Sequence, residues 1–251
     1  MAIYDHYARV YDDSGQISFS MKMIPYLADL MARHRPPGQS MLDLACGTGT
    51  VALSFAQRGW EVHGVDASGG MLAQARAKAA QVGQELVLSQ QDMRSFVLPH
   101  PVALITCLYD SLNYMLMLSD LEEVFRRVAV ALVTHGVFMA DMNTQVTLEE
   151  VWGNNTFFIE GEEMVLILRS RYERETRLST VEIVGFVRQE DGLYSRFDEQ
   201  HTEIAHTTTE VHGALERAGL EVEACYDCFL FEPPSEHTRR IMWVARKVAG
   251  Q

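Results

Sequence analysis

The residues best suited to chemistry fall into three groups along the chain. Asp43 and Asp66 flank a glycine turn, Gly47-Thr48-Gly49, and each lies within or at the end of a short apolar run. Glycine has no side chain to keep a ligand from the backbone, and an acid about twenty residues beyond such a turn accepts hydrogen bonds from ribose hydroxyls. A second group, Tyr109, Asp110, Asn113 and Tyr114, follows another apolar run, and Arg196, Asp198, Glu199 and His201 form a third. A histidine beside acids can accept a proton near neutral pH, although cross-strand charge pairs on a surface strand have the same composition. The chemistry on offer is the holding of a nucleoside, with a proton acceptor beside it.

The elements that must position these residues follow from periodicity. Met41 to Thr50, MLDLACGTGT, reads as a strand, a tight turn and the start of a helix with Val51, Ala52, Phe55 and Ala56 on one face and a stop at Gly59. EVHGVD is a second strand ending in Asp66, and Ser68 caps a helix whose buried side carries Met71, Leu72, Ala75, Ala79 and Val82. Leu86 to Ser89 and Val102 to Cys107 are the third and fourth strands, with Asp92 just beyond the third. Ser119-x-x-Glu122 predicts a capping box at the next helix, and Gly136 the start of a fifth strand, VFMADMN. Before the first strand, Ile24, Leu27, Ala28 and Met31 mark a helix that stops ahead of Pro36-Pro37.

Taken loosely, Gly47-Thr48-Gly49-Thr50-Val51-Ala52 fits the G-x-G-x-x-A dinucleotide fingerprint, which leaves an NAD-dependent oxidoreductase open. LDLACGTGT, with its acid four residues before G-x-G, resembles instead the first motif of the class I S-adenosylmethionine-dependent methyltransferases. That resemblance implies S-adenosylmethionine as cofactor. It places Asp43, Ala45, Gly47 and Gly49 at the methionine end, Asp66 on the ribose, Ala67 and Met71 against the adenine, and Asp92 with the Met93 amide at the adenine edge. Tyr4-Asp5-x-x-Ala8-x-x-Tyr11-Asp12 resembles the segment that folds across the cofactor in small-molecule members, with Tyr11 the hydroxyl expected to reach the methionine carboxylate. Leu108 and the D-S-L-N-Y segment after it would bracket the sulfonium, which makes Tyr109, Asn113 and Tyr114 substrate-pocket residues. Tyr109 and His201 are the candidate catalytic residues, and no metal is implied.

From Asn155 to His206 the pattern changes to period two, with turns at Gly161 and Asp191-Gly192, so about four antiparallel strands are expected there. Thr207-x-x-Glu210 then caps a last helix, closed by Gly219, and two strands follow, Glu221 to Tyr226 and Ile241 to Lys247. The expected fold is α/β, a doubly wound, Rossmann-like, seven-stranded methyltransferase sheet. Residues 1–148 and 207–251 would form the cofactor-binding core, and 149–206 an antiparallel lid similar to that of sugar N-methyltransferases of antibiotic pathways. Such a lid builds an acceptor pocket or a contact between two copies.

The chain has 251 residues and a net charge of −13, which on average repels phosphate-rich partners and makes a nucleic-acid substrate unfavourable. No apolar run approaches the roughly 20 residues of a membrane helix, so a soluble, cytoplasmic protein is expected. The 4 cysteines do not make a disulfide framework, and Cys225-x-x-Cys228 lacks a second pair at zinc spacing. The acidity favours a neutral or cationic small-molecule methyl acceptor, with N or O ahead of C. A domain that binds the cofactor as a sensor, without transfer, is the alternative from another class.

Overall fold

The computed structural model describes residues 3–249; positions 1, 2, 250 and 251, the outermost ends of the expected core, lie outside them. Seven strands form one sheet in the order β10-β11-β5-β4-β1-β2-β3. They are β1 (Ser40–Leu44), β2 (Glu61–Asp66), β3 (Val87–Gln90), β4 (Val102–Cys107), β5 (Leu132–Asn143), β10 (Leu220–Asp227) and β11 (Arg240–Lys247). The first five run parallel, while β11 lies antiparallel between β5 and β10. A dinucleotide-binding sheet of order 3-2-1-4-5-6 has no such reversed strand. The helices are α1 (Ile17–His34), α2 (Thr50–Ala56), α3 (Gly69–Gln81), α4 (Leu118–Ala131) and α5 (Thr208–Arg217).

Two apolar layers sandwich this sheet, as expected when helices cover both faces. Leu42, Leu44, Ile105 and Phe138 face α4 and α5, with Val124, Phe125, Val128, Val211 and Leu215 against them. Met41, Leu104, Val137 and Met139 face the other way, onto Leu27 and Leu30 of α1 and Val51 and Phe55 of α2. The alternation of these strand residues is the period of two that sends successive side chains to opposite faces.

A second sheet, β6 (Thr156–Glu160), β7 (Met164–Glu173), β8 (Leu178–Arg188) and β9 (Tyr194–Ile204), is wholly antiparallel and lies between β5 and α5 in the chain. Its inner face, Met164, Leu166, Leu168, Ile183 and Val187, packs on Tyr7 and Val10 of the N-terminal segment. That segment is a short 3₁₀ turn, Tyr7–Val10, followed by a wide helical turn, Asp12–Gln16, kinked at Gly15. It is therefore a strap held between two sheets.

Most boundaries fall within a residue or two of those expected, and three details differ, the first being that Val82, expected on the buried side of α3, is instead its exposed C-cap. Ser119 does not cap α4: the helix begins at Leu118, and its N-cap, Met117, makes no side-chain cap bond. Extended backbone at Met117 already turns the chain into the helix, leaving Ser119 inside the first turn. The fifth strand begins at Leu132 rather than Gly136, with an irregularity in its pairing to β4 before Val137, where His135 has φ 64°. The capping residues Ser68 and Thr207 take their expected places, the latter with the reciprocal Glu210 bond of a capping box.

Candidate active site

Strands β1, β2, β3 and β4 all end at one edge, and a cavity of about 580 Å³ opens there. This is the crevice beyond the carboxyl ends of parallel strands where open α/β sheets hold ligands, and its size is within the roughly 300–1,000 Å³ of small-molecule sites. Asp43, Ala45, Gly47, Asp66, Ala67, Met71, Asp92, Met93 and Leu108 line it, with Tyr11 above them. Tyr109 and Tyr114 line the same cavity, as do Tyr4, Ser111, Gln200 and Thr202.

Asp66 closes β2 as the sequence pattern requires, and its carboxylate ties two neighbouring elements together. One oxygen accepts the Gly47 N–H at 2.8 Å and the other the Ser68 N–H at 2.9 Å. Burial pushes its carboxyl above the ordinary value, against the pull of the Ser68, Gly47 and Ala67 amides. Asp43 lies deeper, accepting the Thr106 hydroxyl at 2.8 Å, and burial raises its carboxyl to about 7 although Thr106 and the Ala52 amide oppose the shift. Asp92 sits at the wall with both oxygens on Arg94, at 3.0 and 2.6 Å, and Arg94 also reaches Asp120 at 3.2 Å. This pairing, absent from the sequence reading, holds Asp92 below the ordinary carboxylate range.

Gly49 is not on the cavity wall. With φ 73°, it is the N-cap of α2, and a Cβ there would come within 2.8 Å of Ala75 Cβ. Its lack of a side chain serves the packing of α2 on α3. The outer end of the glycine turn is instead held by Lys78, whose ammonium reaches the Thr48 and Thr50 hydroxyls at 2.9 and 2.7 Å and pairs with Asp12 of the strap.

The strap lies over the cavity and is moored at three points, each a carboxylate. Asp12 accepts the Thr48 hydroxyl at 2.7 Å, and Asp5 accepts the Ser68 hydroxyl at 2.8 Å. Glu199 of β9 accepts backbone N–H groups from Tyr4, His6 and Tyr7 at 3.0, 2.7 and 3.0 Å. Gly70 permits the second mooring, because a Cβ there would stand 2.6 Å from the Asp5 carbonyl oxygen. Gly70→Ala is therefore expected to displace the strap at an overpacking cost of about 1–3 kcal/mol. Calorimetry should show this as at least a fivefold weaker affinity for S-adenosylhomocysteine, the demethylated form of the cofactor the resemblance implies.

Tyr109 and Asp110, at the end of β4, both adopt left-handed backbone, with φ 58° and 52°. Such a pair costs about 1–3 kcal/mol per residue and persists only where surroundings fix it. Asp141 of β5, fully buried, does so by accepting the Tyr109 N–H at 2.7 Å and the Asp110 N–H at 3.2 Å. Arg240 of β11 pairs with Asp141 and with Asp110 at 2.7 Å, and its guanidinium lies 4.6 Å from the Phe19 ring centre. Phe19 in turn stacks on Tyr109 at 4.3 Å, and the Tyr109 hydroxyl donates to Gln16.

Asn113 does not face the cavity. It is fully buried, and its amide nitrogen donates to the carbonyls of Asn143 and Ile204 at 3.0 and 2.9 Å while its oxygen accepts the Asn143 N–H. His201 is also buried and off the wall, yet it reaches the cavity through Tyr114: His201 Nδ1 lies 3.1 Å from the Tyr114 hydroxyl, which is 2.7 Å from the Tyr4 hydroxyl. Behind the ring, His201 Nε2 meets Glu199 at 3.2 Å. Arg196 and Asp198 pair with one another on the opposite, exposed face of β9. The sequence reading missed Lys78, Arg240 and Asp141, and it missed that Glu199 moors the strap. Only Glu199 left a signal, since alternation along β9 puts residue 199 on the face of residue 201.

A parallel sheet with one reversed strand near its edge, a glycine turn after β1 and a ribose-compatible acid after β2 define a class I methyltransferase. Comparison with known proteins agrees. The family described as methyltransferase domain matches residues 41–136. The chain is 30% identical over 250 residues to YqeM of Bacillus subtilis (strain 168), a protein classed with the methyltransferases, covering 98% of this chain and 97% of the relative. A solved S-adenosylmethionine-dependent methyltransferase from Clostridium acetobutylicum ATCC 824 superposes with a TM-score of 0.85 at 29% identity, over 98% of this chain and 99% of that one. The dTDP-3-amino-3,6-dideoxy-alpha-D-glucopyranose N,N-dimethyltransferase of Streptomyces fradiae is 28% identical over 205 residues, 78% of this chain and 76% of the relative. The chain belongs to the S-adenosylmethionine-dependent methyltransferases. Among the described residues no helix is long and apolar enough to cross a membrane.

Proposed function

We propose that the chain transfers the methyl group to a small-molecule acceptor, at nitrogen in preference to oxygen. The observation that carries this reading is the shape of the cavity's cover: the strap and β9 lie over it, leaving a partly open chamber walled by Tyr4, Tyr11, Tyr109 and Tyr114 rather than a groove for a polymer. The nitrogen preference follows the amino-sugar N,N-dimethyltransferases among the relatives.

The residues present fit the cofactor. Asp66 offers a carboxylate to the ribose hydroxyls, and the Tyr11 hydroxyl on the wall offers a donor to a carboxylate. Ala67, Met71 and Met93 give flat apolar contact to the base, and Asp92 accepts from its amine. Bound there, S-adenosylmethionine supplies a methyl group already activated by its positive sulfur. The chain must then orient the acceptor and exclude water, a contribution worth on the order of 7–11 kcal/mol in well-oriented systems. Tyr109 is held for this by Phe19, Gln16 and Asp141. The Tyr114 hydroxyl, backed by His201 and Glu199, gives the acceptor's proton a way out of the chamber.

The test is incubation of the whole protein with isotopically labelled cofactor and a panel of amines, phenols and acids, read by mass spectrometry. Methylated amines are expected, and His201→Ala should lower turnover and flatten its pH profile. Label found only on phenols or acids, or on nothing, would contradict the nitrogen reading. An unchanged profile in His201→Ala would remove the proton route.

A further inference from the structure

The two ends of the cavity differ in character. Among the described residues, charge on its wall is confined to Asp43, Asp66, Asp92 and Arg94, all at the cofactor end. Arg94, the one cation among them, is already paired with Asp92 at 2.6 Å and Asp120 at 3.2 Å. Beyond the cofactor end the wall is aromatic. Tyr114, Tyr4, Tyr11 and Tyr109 form an unbroken row, with successive ring centroids 6.1, 5.8 and 6.5 Å apart.

These tyrosines present rings rather than free hydroxyls. The Tyr4 and Tyr114 hydroxyls bond to each other at 2.7 Å, Tyr114 also meets His201, and Tyr109 donates to Gln16. The Tyr11 hydroxyl is the one offered to the cofactor, and Ser111 spends its proton on the Leu108 carbonyl at 2.8 Å. Tyr114 keeps one lone pair for the reacting atom. A sugar ring seated here would leave most of its hydroxyls without partners, at about 1–3 kcal/mol for each one buried. A phosphate would find no unpaired cation on the wall.

The open side of the cavity continues the apolar surface. Ile3 and Leu116 belong to the wall yet are 41% and 38% exposed, and Met117, next in the chain, is 64% exposed. Met115, on the wall and buried, joins them to Tyr114, so residues 114–117 lead from the chamber out to solvent. Large apolar side chains left in water around the mouth of a cavity mark a ligand groove.

Building on the small-molecule reading, we infer that the acceptor carries its reacting atom, nitrogen on that reading, on an apolar aryl or alkyl body that lies along the tyrosine row and extends over Leu116 and Ile3. It bears neither a phosphate nor a set of sugar hydroxyls, which separates it from the dTDP-linked amino sugars of the N,N-dimethyltransferase relatives. Desolvation among the rings favours the neutral amine, whose lone pair is the nucleophile. That lone pair forms the N–C bond with the methyl carbon as the S–C bond breaks and its electron pair stays on sulfur. The methylated ammonium so formed loses its proton along the Tyr114–His201 route.

The test uses the full chain saturated with S-adenosylhomocysteine, whose own binding is measured first and reports on the cofactor site alone. Calorimetry at pH 7 then compares 4-butylbenzylamine, benzylamine, glucosamine and thymidine diphosphate. The butyl amine is expected to bind at least tenfold more tightly than benzylamine, which carries the same charge, and than the two remaining probes. Leu116→Asp is expected to bring the butyl amine down to the affinity of benzylamine while S-adenosylhomocysteine affinity is kept. Equal binding of the two benzylamines, no binding of the butyl amine, or tighter binding of glucosamine or the diphosphate overturns the inference. So does an unchanged butyl preference in a folded Leu116→Asp protein. Should that variant not fold, the ranking of probes on the unsubstituted protein decides the matter. Failure of the nitrogen reading shows separately, as labelled methyl on 4-butylphenol and none on the butyl amine while the binding ranking stands.

Discussion

Asp66→Ala is expected to weaken S-adenosylhomocysteine binding at least tenfold, the largest loss at any single position of the cofactor end. Two effects act together. The carboxylate is the group placed to accept both ribose hydroxyls, and charge-assisted bonds of this kind are worth about 1.5–3 kcal/mol each. It also receives the Gly47 and Ser68 amides, so its removal unties the glycine turn from the start of α3. Asp66→Asn separates the contributions, because it keeps one oxygen for the Gly47 or Ser68 amide and loses the charge. Isothermal calorimetry should rank the proteins as native, Asn, Ala. Equal affinity of native protein and Ala variant would remove Asp66 from the site.

The second large effect is expected at Glu199. Its carboxylate receives three backbone N–H groups of the strap, and the part-buried Tyr4 and Tyr7 amides left without a partner would cost about 1–3 kcal/mol each. Glu199→Ala should release residues 4–16, seen as a loss of hydrogen-exchange protection confined to the strap, with at least tenfold weaker cofactor binding. Burial raises the Glu199 carboxyl, but the bonds from His201 and from the Tyr7 and His6 amides outweigh it and leave it below the ordinary value. A carboxylate with a depressed native pKa stabilises the fold above its unfolded pKa, and that stabilisation fades as the pH falls through the native value. Strap protection should thus be full at neutral pH and disappear only below the ordinary glutamate range near 4.3. Protection that declined between pH 8 and 6 would point to another group.

The contrast between Glu199 and Asp66 shows what a single chain discloses. Asp66 was legible because its role is local: the strand, the turn and the acid lie within one βαβ unit, and each has a composition of its own. The same holds for β1 to β4 and for the two apolar layers, which follow from periods of two and 3.6. Glu199 reaches across 195 positions to Tyr4, and Arg240 across 99 to Asp141. Nothing near either residue announces its partner. The segment Asp110 to Tyr114 was only half legible for a related reason. Its position after β4 marked it as part of the rim, but which side chains turn inward depended on the left-handed backbone at Tyr109 and Asp110. That conformation is imposed from β5 and β11, and it sends Asn113 into the protein while Tyr109 and Tyr114 stay on the wall.

Asn113 also has a bearing on how this molecule could diversify. Its side chain joins the end of β5 to the end of β9, so the chain leaves the main sheet at Asn143 and returns at Ile204 through a sealed neck. Lengthening an excursion whose ends are fixed costs only about 0.6 kcal/mol per doubling. The strands between those two residues can therefore be gained, lost or resurfaced, provided Glu199 of β9 continues to hold the strap. Acceptor preference can drift on a scaffold that keeps its donor.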